Sequence, residues 1–456
     1  MLVVVTRRRQ PTSAMAWLLV IFFEPWIGLV LYLLVGTYRL PRRRTERHAR
    51  LREHLKAIGR HFHDHPSTVR PQLRPESMAT VDLAQRLGDM PILGGNSVEL
   101  VTETQEMLDR LVQDIDAAEK HVHLLFYIYG DDATGRQVAE ALERAVARGV
   151  SCRVLVDAVG SRPMLKRLAP RMIQQGVQLH PMLPVGLFRR RVARMDLRNH
   201  RKLAIIDGKT AYTGSQNIVD ADYGHKDLAW HDMMLRLQGP IILELQAVFM
   251  EDWYFETEEI LDTDDLFPEP LIAGDIPVQT LPSGPDYPTE NYQRLVVAAI
   301  HAAQQRIVIT TPYLVPDEAL MQAIEIAVLR DVEVDLIVPK RCDQILVGAA
   351  SRAYYHDLLD VGARIYRHGD GLLHAKTISI DDAIALIGSS NFDIRSFALN
   401  FEINMLLYGT EITDRLRQAQ NRYMEQSTRL DADQWHARPA GRQIFDNIAR
   451  LLSPLL

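Results

Sequence analysis

The chain is poor in cysteine and poor in lysine. Only two cysteines, Cys152 and Cys342, occur in 456 residues. They are too few for a disulfide framework and too far apart for a zinc ribbon, so reduced thiols facing a cytosol are expected. Of 52 basic residues only eight are lysine. An excess of positive charge is also missing. The net charge is −6, which argues against a nucleic-acid binder, a class that is usually basic. Long hydrophobic runs are absent except for one near the start. The rest is globular in composition, and the length implies about two or three domains.

The hydrophobic run is "AWLLVIFFEPWIGLVLYLLVG", Ala16 to Gly36. As a helix it would reach about 31 Å, enough for a bilayer core. Glu24 and Pro25 interrupt it, so a kinked transmembrane helix is expected first and a re-entrant or interfacial hairpin second. A cleaved signal peptide fits poorly, because the run is long and "VGTYRL" is a poor cleavage site. Arginines cluster after the run, from Arg39 to Arg52. Such a cluster attracts anionic lipid, and by the positive-inside rule it puts the C-terminal part in the cytoplasm. His61, His63 and His65 alternate just beyond, without the companions a metal site needs, and read as a solvated linker.

From "GNSVELV" onward strands and helices alternate, which argues for a sheet covered by helices. The strand "HVHLLFYIY" is followed by the helical pattern "GRQVAEALERAVARG" and the strands "SCRVLVDAVG", "RKLAIIDG" and "TAYTGSQN". The second half repeats the order with "RIVITTPYL", "DEALMQAIEIAVLRD", "VEVDLIVP", "HAKTISIDD" and "AIALIGSSN", offset by 174 residues (His374 against His200). The expected organisation is a membrane segment and basic region over 1–60, a linker over 61–96, a first domain over 97–260, a linker over 261–285 and a second domain over 286–456.

Two short stretches carry the chemistry, "NHRKLAIIDG" and "LHAKTISIDD". With 16 histidines and eight lysines in 456 residues, chance gives about 0.3 His-x-Lys pairs. Two such pairs, each followed by Asp five residues later and each at the same place in its repeat, are not chance. Residues two apart share one face of a strand, so His200 projects with Lys202 and His374 with Lys376. Asp207 and Asp381 lie an odd step away and read as structural or supporting. Two lysines would hold the nonbridging oxygens of a phosphate. One imidazole can attack phosphorus while the other protonates the leaving alkoxide. That exchange on a phosphodiester needs no metal and no other cofactor. "GSQN" and "GSSN" add hydrogen-bond donors for phosphate in Ser215, Asn217, Ser389 and Asn391. Asp232 and Glu402 follow, as acceptors that can fix a histidine tautomer.

These residues resemble the paired HKD motifs of the phospholipase D superfamily: His-x-Lys, four residues, Asp, then a Gly-Ser-x-Asn turn. With "AMAWLLVIFFEPWIGLVLYLLVG", "RNHRK", "TPYLVPDEAL", "DIRSFALNFEIN" and "ARLLSPLL", nearly the whole chain is similar to bacterial cardiolipin synthases of the phospholipase D type. The resemblance implies an α/β fold: two tandem phospholipase D-like α/β/α sandwich repeats forming one pseudo-twofold active site, preceded by an N-terminal membrane segment. It implies transfer of a phosphatidyl group between two phosphatidylglycerol molecules, giving cardiolipin and glycerol. It gives the catalytic set as His200, Lys202, Asp207, His374, Lys376 and Asp381, with His200 the nucleophile and His374 the general acid and base. Glu402 would then orient His200, and Asp232 would orient His374, each from the opposite repeat. The partners implied are phosphatidylglycerol, other anionic phospholipids and the bacterial inner membrane, with the catalytic part on the cytoplasmic side and no nucleic acid.

Three departures stand out. Such synthases often carry two N-terminal membrane segments, and "MLVVVTRRR" has room for only a stub of the first, so a start upstream or a one-span variant is expected. Leu372 replaces an aromatic residue before the second motif. Asp232 stands where a glutamate like Glu402 would be the counterpart. Other acceptors, water or phosphatidylethanolamine, remain open on the motif alone; a nuclease and an inactive membrane protein are the remoter alternatives.

Overall fold

The structure is a computed structural model that describes residues 11–26, 28–29, 32, 63–185, 196–224, 227–261, 264–287, 289–451 and 453. One mixed sheet of 16 strands runs through both repeats. Its two middle strands, Leu93–Val101 and Ile276–Ser283, are antiparallel neighbours that join the halves edge to edge. Outward from Leu93–Val101 come Met234–Gln238, Thr210–Gly214, Lys202–Ile206, His121–Phe126, Ser151–Asp157 and Gln178–Met182. Outward from Ile276–Ser283 come Asn400–Tyr408, Ile384–Gly388, Thr377–Ile380, Arg306–Thr310, Glu333–Pro339 and Arg364–His368, with Ser427–Arg429 added at that edge. The order of one half is the order of the other, so the expected duplication is a pseudo-twofold about the central pair.

The inner strands are buried on both faces, which is why they read as near-continuous apolar runs such as "HVHLLF" and "IALIG". One face carries the helices Ile242–Thr257 and Thr410–Glu425, and Leu245, Phe249, Trp253, Ile412, Leu416 and Tyr423 from them belong to one cluster that spans both repeats. The other face is covered separately, by Thr104–Asp116 and Ala133–Ala147 over the first half and by Asn291–Ala302, Glu318–Leu329 and Ile345–Asp360 over the second. Local sequence sets these helices in the same way twice. Asp132 caps Ala133–Ala147 by accepting from Gly135 N, and Asp317 caps Glu318–Leu329 by accepting from Leu320 N.

Two of the expected boundaries change. The stretch 61–96 is not a plain linker, because it contains the helix Pro75–Gly88, which packs against Asn291–Ala302 and the strand Ile276–Ser283. Its buried Val81 and Ala84 are part of the second repeat's core. The stretch 261–285 holds the central strand Ile276–Ser283. The polarity of both stretches hid these elements: an apolar stripe of a few residues suffices when the partner surface is already apolar. His61 lies outside the described residues, while His65 accepts from Ser67 N at 3.1 Å and His63 sits 3.8 Å from Asp89.

At the N-terminus the described helix Pro11–Phe23 bends at Glu24, yet Glu24 N–H still reaches Val20 O at 3.0 Å and Gly28 N–H reaches Glu24 O at 2.7 Å. Leu19, Phe22, Phe23 and Trp26 are exposed. Among the described residues no helix is long and apolar enough to cross a membrane. The remainder of Ala16–Gly36 lies largely outside the described residues.

The motif aspartates hold the sheet. Asp207 and Asp381 adopt left-handed backbone conformations, φ 53° and 49°, a turn that Asp tolerates. Asp207 accepts the N–H groups of Glu119, Lys120 and His121 at 2.8–2.9 Å. Asp381 does the same for Gln304, Gln305 and Arg306 at 2.8–3.0 Å and lies 3.3 Å from Arg74. Each clamps the start of the strand beside its own motif strand. Asp207→Ala and Asp381→Ala are each expected to cost about 2–4 kcal/mol of stability, read by denaturant unfolding. Unchanged stability with abolished activity would instead make these carboxylates part of the chemistry.

Candidate active site

The two motifs reach one place because each repeat holds the other's motif by a short strand pair. Arg198–Asn199, just before His200, runs parallel to Asn400–Phe401, and His200 N–H donates to Phe401 O at 2.8 Å. Leu372–Leu373, just before His374, runs parallel to Trp230–His231, and His374 N–H donates to His231 O at 2.8 Å. The residue after each pairing partner carries the carboxylate: Glu402 follows Phe401, and Asp232 follows His231. His200 Nδ1 therefore lies 3.0 Å from Glu402 Oε2, and His374 Nδ1 lies 2.6 Å from Asp232 Oδ1.

These contacts fix the tautomers. The Nδ1 atoms face acceptors only, since His200 Nδ1 is also 3.0 Å from the Ser389 carbonyl. Each proton must then sit on Nδ1, and each Nε2 keeps its lone pair. Both imidazoles line a single cavity of about 290 Å³. A ring flanks each of them: Tyr127 lies 4.8 Å from His200 and Trp230 4.4 Å from His374, centroid to centroid. Neither ring was singled out from the sequence. Trp230 had a signal, being two residues before Asp232, while Tyr127 merely ends an apolar strand.

The glycines of the two Gly-Ser-x-Asn turns are required by close approach. A Cβ on Gly214 would sit 2.4 Å from Met233 O, and one on Gly388 would sit 2.6 Å from Ile403 O. The serines that follow differ from expectation. Ser215 Oγ donates to Asp232 at 2.6 Å and accepts from Met233 N at 2.9 Å. Ser389 Oγ donates to Glu402 at 2.5 Å and accepts from Ile403 N at 2.9 Å. Their hydroxyls hold the carboxylates, not the cavity. Asn217 and Asn391 do line the cavity. Asp207 and Asp381, placed with the catalytic set by resemblance, are bound to backbone amides away from it.

Lys202 and Lys376 are buried, and each Nζ donates to the carbonyl of its own motif histidine, at 2.6 and 2.5 Å. Burial pushes both ammonium groups toward neutrality, Lys376 to about 7 and Lys202 well below its usual value. The same desolvation lowers His200, and it lowers His374 to about 4, with Lys376 adding to the effect. Burial opposes the charge of Asp232 and Glu402, but the facing imidazoles and lysines keep Asp232 well below the ordinary carboxylate range and lower Glu402 as well. Arg201, between His200 and Lys202, turns to the other face and forms a buried pair with Asp252 at 2.6 Å. Arg198 at the cavity wall bonds Asp157 at 3.1 Å. One group with metal-ligand spacing occurs among the described residues, His356, Asp360 and His436, and none of its members lines the cavity.

Comparison with known proteins agrees with this geometry. A family model described as "Cardiolipin synthase, PLD-like domain" matches residues 111–253 and 296–424, the two repeats. A second, described as a phospholipase D-nuclease N-terminal segment, matches residues 1–36. Cardiolipin synthase A of Yersinia pseudotuberculosis (serotype O:1b, strain IP 31758) is 36% identical over 99% of this chain and 95% of its own. Cardiolipin synthase A of Yersinia pestis (bv. Antiqua, strain Angola) matches to the same extent. The crystal structure of phosphatidylserine synthase from Haemophilus influenzae superposes with a TM-score of 0.62 at 15% identity, covering 83% of this chain and all of its own, and so shares the fold. The chain belongs to the family of cardiolipin synthases built from phospholipase D-like domains.

Proposed function

We propose that the protein is a phosphatidyltransferase that makes cardiolipin and glycerol from two molecules of phosphatidylglycerol. The carrying observation is the pair of histidines in one cavity, each donating its Nδ1 proton to a carboxylate of the opposite repeat. His200 Nε2 attacks the phosphorus of the first lipid. The bond to the headgroup glycerol breaks, and His374 gives that oxygen a proton, so glycerol leaves. The phosphatidyl group is then held on His200 through a P–N bond. A glycerol hydroxyl of the second lipid passes its proton to His374, attacks phosphorus and breaks the P–N bond. Each step moves one proton, and His200 and His374 end as they began.

Lys202, Lys376, Asn217 and Asn391 supply the charge and hydrogen bonds for the phosphate oxygens, and Ser215 and Ser389 keep the carboxylates in place. In the empty cavity the lysines are pushed toward neutrality. A bound phosphodiester anion reverses this, because its negative charge favours the ammonium and imidazolium forms beside it. Substrate arrival thus charges the acid that the reaction needs. The exposed apolar segment at the N-terminus and the lipid substrate support a location at the bacterial inner membrane, and the arginine cluster supports a catalytic part on the cytoplasmic side.

In lipid micelles, purified protein is expected to convert phosphatidylglycerol alone into cardiolipin plus free glycerol. His200→Ala and His374→Ala should each lose at least about a thousandfold in turnover. Rapid quenching with labelled lipid should trap label on protein in the wild type and not in His200→Ala. Phosphatidic acid as the main product would make water the acceptor; label retained in His200→Ala would exchange the roles of the histidines. The lysine shift gives a pH dependence. In the free enzyme His374 is lowered to about 4 and Lys376 to about 7, so kcat/KM should already fall with rising pH below neutrality and fall more steeply above it. A flat profile up to pH 9, at constant lipid surface, would contradict a neutral Lys376 in the empty site.

A further inference from the structure

The last helix, Ala440–Leu451, is amphipathic the wrong way round for a helix facing water. Its inward side carries Asp446 and Ala449, both buried. Asp446 is held by Arg352 at 2.9 Å and Arg438 at 3.0 Å. Its outward side carries Ile444, Phe445, Ile448 and Leu451, which are 58%, 44%, 53% and 80% exposed. Spacings of one, four and seven residues put these four on one stripe. Arg442, exposed, adds positive charge at the start of the helix.

This helix packs along Ile345–Asp360. That helix begins with Ile345 and Leu346, which are 77% and 44% exposed. Asp343, Gln344 and Val347 around them line the catalytic cavity. Exposed apolar residues thus occur on both of the packed helices, and one of these helices begins beside residues that line the active site. The cavity is lined around the histidines by Arg198, Asn217, Asp343, Asn391, Asp393 and Arg395, which suits a phosphodiester headgroup and not acyl chains. The chains have to stay in the bilayer while the headgroup enters, so the mouth has to meet the bilayer surface.

We propose that the outward stripe of Ala440–Leu451, together with Ile345 and Leu346, is a second membrane contact that seats the cavity mouth on an anionic bilayer. The inference rests on the lipid-transfer reading above. Partial burial of such a stripe at the headgroup boundary, beside positive charge, is a known means of holding a domain at an anionic surface. The N-terminal segment tethers the chain; this surface sets its orientation.

The test uses the full chain with the paired substitutions Ile444→Asp and Ile448→Asp, on two forms of phosphatidylglycerol: long-chain lipid in vesicles and a short-chain analogue kept monomeric. The expected result is a loss of about tenfold or more on vesicles, with the short-chain rate held within about twofold. Equal rates on vesicles would overturn the proposal, and so would a parallel loss on both substrates, which marks a folding defect or a catalytic role. Independently, a fluorophore on Ile448→Cys should be quenched by brominated lipid in phosphatidylglycerol vesicles. A probe that sits in an apolar environment without vesicles and is not quenched by them would show the stripe covered by this chain or a second copy, and would also overturn it. If wild type makes cardiolipin from neither substrate, the transfer reading fails while the quenching arm still decides the docking.

Discussion

Two buried imidazole–carboxylate pairs, His200 with Glu402 and His374 with Asp232, cross between the repeats, and the rest of the site depends on them. Neither repeat contains a complete histidine by itself, since each lends its carboxylate to the other. A carboxylate taken out of water is costly unless paired and hydrogen-bonded. Here each has its histidine, a serine hydroxyl and two lysines in its field. Separating the repeats would part each histidine from its carboxylate and leave the carboxylate only the serine of its own repeat, so association of the halves and assembly of the site are one event. The continuous central sheet serves the same end. By joining Leu93–Val101 to Ile276–Ser283 it fixes the distance over which the short cross-repeat strands must reach.

Much of this is legible in the sequence because duplication doubles every signal. The repeat offset, the strand assignments around the motifs and the meeting of His200 and His374 follow from two copies of one pattern. Two short strands of two residues each, Arg198–Asn199 and Leu372–Leu373, have no periodicity to read, yet they carry the geometry that brings the motifs together. The helix Pro75–Gly88 and the strand Ile276–Ser283 lie in stretches read as linkers, because their partners, not their own composition, make them ordered. The serine hydroxyls bond the carboxylates for a reason the sequence does not display. A hydroxyl beside a phosphate site and a hydroxyl beside a buried carboxylate look alike in sequence, and only the register between Gly214 and Met234, or Gly388 and Asn404, decides.

The motif aspartates show how a fixed pattern can serve the fold. An odd step along a strand points away from the cavity, and the carboxylates of Asp207 and Asp381 meet three backbone N–H groups each. Those donors begin the strands His121–Phe126 and Arg306–Thr310, which flank the His-x-Lys strands. The clamp sets the height of the motif strand in the sheet, and so the position of its histidine and lysine at the other end.

The asymmetry of the two carboxylates bears on which histidine does what. Asp232 is the shorter side chain, yet its contact with His374 is the closer, 2.6 Å against 3.0 Å for Glu402 and His200. His200 shares its Nδ1 proton between Glu402 and the Ser389 carbonyl, whereas His374 directs its proton at one carboxylate oxygen. A short charge-assisted bond to a full anion strengthens most when the imidazole becomes a cation. That suits the histidine that gains and loses a whole proton in each half-reaction. A ring whose Nδ1 is held by two acceptors is restrained in orientation, which suits the one that must aim Nε2 along the line of attack at phosphorus. In an otherwise symmetric site, this difference in hydrogen bonding favours His200 as nucleophile and His374 as the proton carrier.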